Sequence, residues 1–441
     1  MPMRRPSTAR PPRLALTAVL MGAAALPTVL LTAQPRIPVP FVPPTRTEQV
    51  ADAPRTATTG PGWGQKFSAE NTRPRATIAN PFMDLQRPFF AKAESLQCAA
   101  DGRVIVSGRA GFDKEARPLA TGFWQIAPDG QVTPLAVRNY AQVGGPACNA
   151  PFAQSSAAPT SFSIAADGRL LFAGAGAIRA VTGDGLVTRV AGAPGECTGA
   201  SGTTGLADGM ADGMADAARF KDASAPVEDT EGNLWVADQG GCALRRVAKT
   251  GEVTTVLGSD ALCNDARPAE DQPLLQELAW DAVHHELVAA GSRTVARPVH
   301  DLYTLVFRIA PDGATKRVLF AKKATRVSPA KHHLDGVRAM TVDAKGRILL
   351  VSQLMVFEQR GFDVLQLMRV DEPNTTVVML SGTKIPRGTW LPEYPFDGPL
   401  DTAYFEFTRD LCAMPDGTIY VNDDMLIRRI DPKGVVTTWA F

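Results

Sequence analysis

The chain reads as short apolar runs cut by polar turns. Leu234-Trp235-Val236 and Ile419-Tyr420-Val421 are apolar on consecutive positions, rich in β-branched and aromatic residues, and preceded by Glu231-Gly232 and Asp416-Gly417. That combination predicts buried strands entered from tight turns. The two runs belong to longer stretches that match without a gap. Asp212-Gly213-x-x-Asp216-x-Ala218-x-Phe220 returns as Asp397-Gly398-x-x-Asp401-x-Ala403-x-Phe405. The strands end at Asp238 and Asp423, and an arginine pair follows in Leu244-Arg245-Arg246-Val247 and Ile427-Arg428-Arg429-Ile430. Gly251 to Thr255 and Gly434 to Thr438 close the two units.

Four weaker copies complete the pattern. The inner turn recurs at Asp101-Gly102, Asp167-Gly168 and Lys345-Gly346, with His284-His285 in its place in the fourth unit. The third strand recurs at Phe123 to Ile126, Ile178 to Val181, Val306 to Ile309 and Leu367 to Val370, closed by Asp129-Gly130, Asp184-Gly185, Asp312-Gly313 and Pro373-Asn374. Repeating four-strand units predict an all-β, six-bladed β-propeller over residues 91–441, a ring that leaves no long sheet edge unpaired.

Gly232 to Asp238, Leu244 to Val247 and Gly251 to Val256 resemble the core of the NHL repeat, and the Asp-Gly…Ala-x-Phe segment is similar to that of its bacterial members. The resemblance implies a six-bladed propeller. It implies no single activity, because the family includes binding platforms, receptor sensors and some enzymes.

Before the repeats, Arg4, Arg5, Arg10 and Arg13 precede an uncharged stretch from Leu14 to Ala33 that ends in Leu31-Thr32-Ala33. Residues 1–33 therefore read as an export signal, with a membrane anchor as the alternative. Residues 34–90, rich in Pro, Thr and Ala, read as a largely disordered linker. The expected location is periplasmic or secreted, with membrane contact only through an uncleaved N-terminal segment. The net charge of +1 supplies no field for polyanions, so nucleic acid is not an expected partner.

Six cysteines in an exported chain make disulfides plausible. Cys148, Cys197, Cys242 and Cys263 fall in loops, and Cys197 with Cys242 is the favoured pair. Cys98 and Cys412 lie on inner strands, where buried free thiols are the plain reading.

The a–b and c–d turns look like tight two-residue hairpins, so one face of the ring is plain. The long links, such as 139–158, 192–222 and 381–407, all fall on the other face, where binding is expected. Aligned on the inner turn, the position starting each inner strand holds Glu94, Thr160, Ser224, Glu277, Arg338 and Arg409. These residues are the candidate ligand site at the channel mouth. Arg338 and Arg409 suit a carboxylate or phosphate. The competing reading is an arc of Arg–Glu pairs that neutralises itself.

Other chemistry is sparse. His332 and His333 are weak metal candidates, since neighbours in a strand point opposite ways. Asp208, Asp212 and Asp216 lack calcium-loop spacing and read as turn residues. No catalytic residue or cofactor is predicted. Glu94 to Cys98 does resemble the start of the gluconolactonase family, whose Glu there binds a central metal, and Leu278-Ala279-Trp280 is similar to a later motif of that family. Gln276 and Gly291 stand where that family has its Asn and a ligand Asp. Two readings result. One is an exported module that binds a protein or small anionic ligand on the loop-rich face and channel mouth. The alternative is a lactonase, esterase or lyase-type propeller, the only reading that requires a divalent metal.

Overall fold

The computed structural model describes residues 90–112, 118–139, 161–174, 176–181, 187–192, 210–224, 226–295, 301–322, 326–327, 332–355, 363–381, 397–403, 405, 407–423 and 426–440. The expected signal, the linker as far as residue 89, Thr160, Cys148 and Cys197 lie outside these residues. No helix among them is long and apolar enough to cross a membrane.

The protein is a six-bladed β-propeller. Six antiparallel sheets of four or five strands follow one another along the chain. Their innermost strands are Phe90–Cys98, Phe162–Ile164, Val227–Glu228, Glu277–Asp281, His332–Val342 and Thr408–Ala413. Each lies beside the next, and the last lies beside the first, so the blades close into a ring.

The unbroken apolar runs have a direct cause. A blade is covered on both faces, so successive residues of a strand feed opposite seams. Phe123 packs with Phe162 and Phe172 of blade 2, whereas its neighbour Trp124 packs with Cys412, Met414 and Ile427 of blade 6. Among the described residues the core is six such clusters, one between each pair of neighbouring blades.

The repeat's turn residues hold one conformation. Gly102, Gly168, Gly232, Gly346 and Gly417 all have φ between +72° and +91°, and His285 holds the same place in blade 4 at +55°. The hairpins are one residue longer than the two-residue type expected. In the first, Ala99 exchanges hydrogen bonds with both Gly102 and Arg103. That pattern is a three-residue connection closed by a left-handed Gly, which matches strand twist as well as the shorter turn does. In blade 5 the left-handed residue of the closing turn is Thr375, one beyond Asn374.

The duplicated Asp-Gly segment adds a fifth, outermost strand to blades 3 and 6. Gly213–Met214 pairs with Glu252 and Val253, and Gly398–Pro399 pairs with Val435 and Val436. Each segment also sends a carboxylate inward. Fully buried Arg245 lies 2.6 Å from Asp212 and 3.6 Å from Asp238. Its counterpart Arg428 lies 3.1 Å from Asp397 and 3.3 Å from Asp423. The repeated aspartates are thus partners of a buried guanidinium, since such a charge has to be matched inside the protein.

The disulfides differ from expectation. Cys242 is bonded to Cys263, with Cα atoms 6.0 Å apart, so the pairing with Cys197 is wrong. The loop-face placement of Cys242 was sound. Its partner, however, lies in the link leaving blade 3 rather than the one entering it, directly after the short helix Ser259–Leu262. Cys98 and Cys412 are not free thiols but are bonded to each other, with Cα atoms 5.5 Å apart. Among the described residues no cysteine is free.

Candidate functional site

The aligned inner-strand position is a structural unit in three blades. Pairing slips between Ala93 and Ser95, between Val337 and Ala339, and between Thr408 and Asp410. Glu94, Arg338 and Arg409 are therefore each the extra residue of a β-bulge. A bulge re-aims the side chains around it and breaks the two-residue alternation.

Of the five described candidate residues, three line one cavity and two do not. Glu94 is buried, with Arg109 Nη2 and Arg409 Nη1 each 3.6 Å from its carboxylate oxygens. Arg338 is exposed. Ser224, Glu277 and Arg409 line a cavity in the ring's centre, and Thr160 is outside the described residues. His332 and His333 pair with Val327 and Arg326 at the start of the blade 5 inner strand. For Arg409 the self-neutralising arc is realised, with Arg109 as a partner that no repeat alignment exposes.

The cavity has a volume of about 560 Å³, within the usual range for small-molecule sites. Phe162, Pro226, Ala279, Met340 and Leu411 supply apolar wall, matching the uniformly apolar row of the alignment. Hydroxyls and amides of Ser161, Ser163, Thr341, Gln97 and Gln239 interrupt it. Its charged lining consists of Glu228, Glu277, Asp410 and Arg409.

Asp410 and Glu277 dominate the electrostatics. Asp410 Oδ2 accepts hydrogen bonds from Ser95 Oγ at 2.5 Å and Leu96 N at 3.0 Å, both donated from blade 1. Leu411 N donates to its Oδ1 at 2.8 Å. Burial nonetheless outweighs these bonds and pushes the carboxyl up to about 6. Burial also raises Glu277 well above the carboxylate range, and the negative charge of Asp410 adds to the rise. No hydrogen-bond donor reaches the Glu277 carboxylate among the described residues. The charge of Asp410 thus acts on Glu277, whereas burial alone raises Asp410.

Sequence reasoning found Glu277 and missed Asp410. The alignment treats the inner strand as strictly alternating, which turns Asp410 away from Arg409. The bulge at Arg409 removes that constraint. The available signal was the acid itself, placed beside Leu411 and Cys412 in a buried strand.

The metal implied by the gluconolactonase resemblance does not fit. Two guanidinium groups flank the Glu94 carboxylate, where a cation would be repelled. At Gly291 an added Cβ would lie 2.6 Å from the Leu274 Cβ and 3.1 Å from Gln276 Oε1, so no Asp can stand there. The Gln276 amide is committed to the backbone of Ser292 through both its nitrogen and its oxygen.

No protein-family model matches the chain, and no curated protein matches it in sequence. Solved structures that resemble it include a structural genomics protein of unknown function from Bacteroides thetaiotaomicron, 15% identical with a TM-score of 0.44, covering 79% of this chain and 69% of that one. A virginiamycin B lyase from Staphylococcus aureus is 11% identical with a TM-score of 0.36, covering 79% and 84%. A gluconolactonase-family protein is 14% identical with a TM-score of 0.39, covering 80% and 90%. These likenesses are too distant to add to what the strand topology itself establishes, a ring of six antiparallel blades with an acidic central cavity.

Proposed function

We propose that the protein is an exported, NHL-type propeller that binds a small organic ligand in its central channel, with Glu277 and Asp410 as the groups that meet it. The observation that carries this reading is the pair of partly buried carboxyls, Glu277 and Asp410, lining one cavity of small-molecule size. Both carboxyls are partly buried and neither has a cationic partner among the described residues, an arrangement that recurs at functional sites. Export rests on the N-terminal pattern and on two disulfides, which persist in oxidising compartments.

An enzymatic reading is favoured by one observation. A carboxyl near 6 is poised to give and take a proton around neutral pH, as a general acid–base group must. In that reading Asp410 is the acid–base residue, its proton affinity set by burial against the hydrogen bonds from Ser95, Leu96 and Leu411.

A thermal-shift screen of small organic compounds, run on the wild type and on Glu277→Gln and Asp410→Asn, tests the channel reading. Hits should stabilise the wild type and lose their effect in both variants. Hits that shift all three proteins equally place the site elsewhere. The same compounds, with lactone and ester substrates added, separate binding from turnover.

A further inference from the structure

Building on the channel reading, we infer that its ligand carries an organic cation, an ammonium or guanidinium group, seated between Glu277 and Asp410. Among the described residues the charged lining of the cavity is three carboxylates to one guanidinium. That one guanidinium is partly spent, because Arg409 lies 3.6 Å from buried Glu94. Glu228 is engaged as well, since its carboxylate accepts the Ala166 amide. Glu277 has no donor within reach among the described residues, and Asp410 takes only neutral donors. What the pair lacks is positive charge with hydrogens to donate, which an ammonium or guanidinium supplies.

The size of the cavity favours an organic cation over a bare metal ion. A space of about 560 Å³ holds more than a bare ion, and partly exposed Leu278 and Trp280 in a mainly polar wall give a carbon frame some apolar contact. Among the described residues no group of three acidic, histidine or cysteine side chains could hold a metal.

Binding a cation also expels the proton that the pair holds. The other charged groups lining the cavity among the described residues are Glu228 on the blade 3 strand and Arg409; Glu94 with Arg109 lies against Arg409, and exposed Arg338 stands on the inner strand of blade 5. None of the glutamates or arginines on that list needs to titrate for the effect. Affinity should therefore rise with pH as the pair loses its proton, and proton release should accompany binding.

The test uses matched triplets of one carbon frame, such as phenethylamine, phenethyl alcohol and 3-phenylpropionate, measured calorimetrically on the mature protein. The amine should bind at least about tenfold tighter than the alcohol, a difference of ~1.4 kcal/mol. Its affinity should fall about tenfold between pH 8 and pH 5 in the wild type, and the preference for amine over alcohol should be lost in Glu277→Gln and in Asp410→Asn, with the melting curve reporting that each variant folds. Alcohols that bind as well as amines, in a manner abolished by Asp410→Asn, overturn the cation while leaving the channel reading intact. Preference for the carboxylate overturns it in favour of Arg409 as an anion anchor. No binding by any member of several triplets overturns both.

Discussion

Cys98 and Cys412 are bonded across the one seam of the ring that the chain itself does not cross. Every other pair of neighbouring blades is joined by the polypeptide, while blades 1 and 6 meet through strands 314 residues apart in sequence. Propeller rings can be closed by sharing strands of one blade between the two chain ends. Here each blade is built from its own contiguous segment. Closure is left to the disulfide, the inter-blade packing, and bonds such as Asn422 Nδ2 to the Ala93 carbonyl at 3.0 Å.

Removing that bridge should cost more than removing the other. In the chain-entropy picture a loop of this length is worth ~5 kcal/mol, against ~3 kcal/mol for the short loop closed by Cys242 and Cys263. Denaturant midpoints of Cys98→Ala/Cys412→Ala and Cys242→Ala/Cys263→Ala measure the difference. Equal losses, or a larger loss for the short loop, would show that packing alone closes the ring.

The buried guanidiniums of blades 3 and 6 should respond as equivalents. Asp238→Ala and Asp423→Ala each remove one carboxylate from a fully buried arginine, which should cost ~3–5 kcal/mol. Asp101→Ala, which removes only the exposed partner of Arg103, should cost less than ~1 kcal/mol. Urea unfolding of the three variants checks the ordering. A small loss at Asp238 or Asp423 would mean that the second carboxylate suffices.

The ring was legible in the sequence because each blade repeats the same demands. A left-handed residue closes the inner turn, and His285 meets that demand where Gly is missing. Apolar residues run unbroken because both blade faces are covered. The site was legible only by halves. Glu277 followed from the alignment, since it starts its strand without a bulge. Asp410 did not, because a bulge changes which way side chains face without changing the residue count. The ring-closing pair was hidden for another reason. Cys98 and Cys412 lie at opposite ends of the repeat region, and only closure in space brings them together.

Asp410 should weaken the fold that carries it. Its carboxyl titrates near 6 in the folded protein and near ~4 when unfolded, so the folded state holds its proton more tightly. Stability contributed by the protonated form is present below ~4 and is lost as pH rises through about 6. Asp410→Asn keeps an acceptor for Ser95 and Leu96, gives up the bond from Leu411 N and removes the charge. It should raise stability by up to ~2 kcal/mol at pH 8 and change it little at pH 4. Melting curves at the two pH values give the answer, and destabilisation at pH 8 would contradict it.

Glu94 should tolerate the loss of either flanking arginine better than the loss of both. Arg409→Ala or Arg109→Ala leaves one guanidinium at the buried carboxylate and should cost ~1 kcal/mol. The double variant should cost more than the sum of the singles, because neither cation then offsets the burial of Glu94. A double-mutant cycle read by thermal unfolding measures the coupling. Strict additivity would mean that the two arginines act independently of Glu94.

The channel pair itself is tested most directly by a crystal structure of the protein with a compound selected by its thermal shift. The expected result is ligand density in the central cavity, with a polar ligand atom within hydrogen-bond distance of both Glu277 and Asp410, and no binding of that compound to Glu277→Gln. Density confined to the outer loops, with Glu277 and Asp410 untouched, would contradict the assignment of function to the channel.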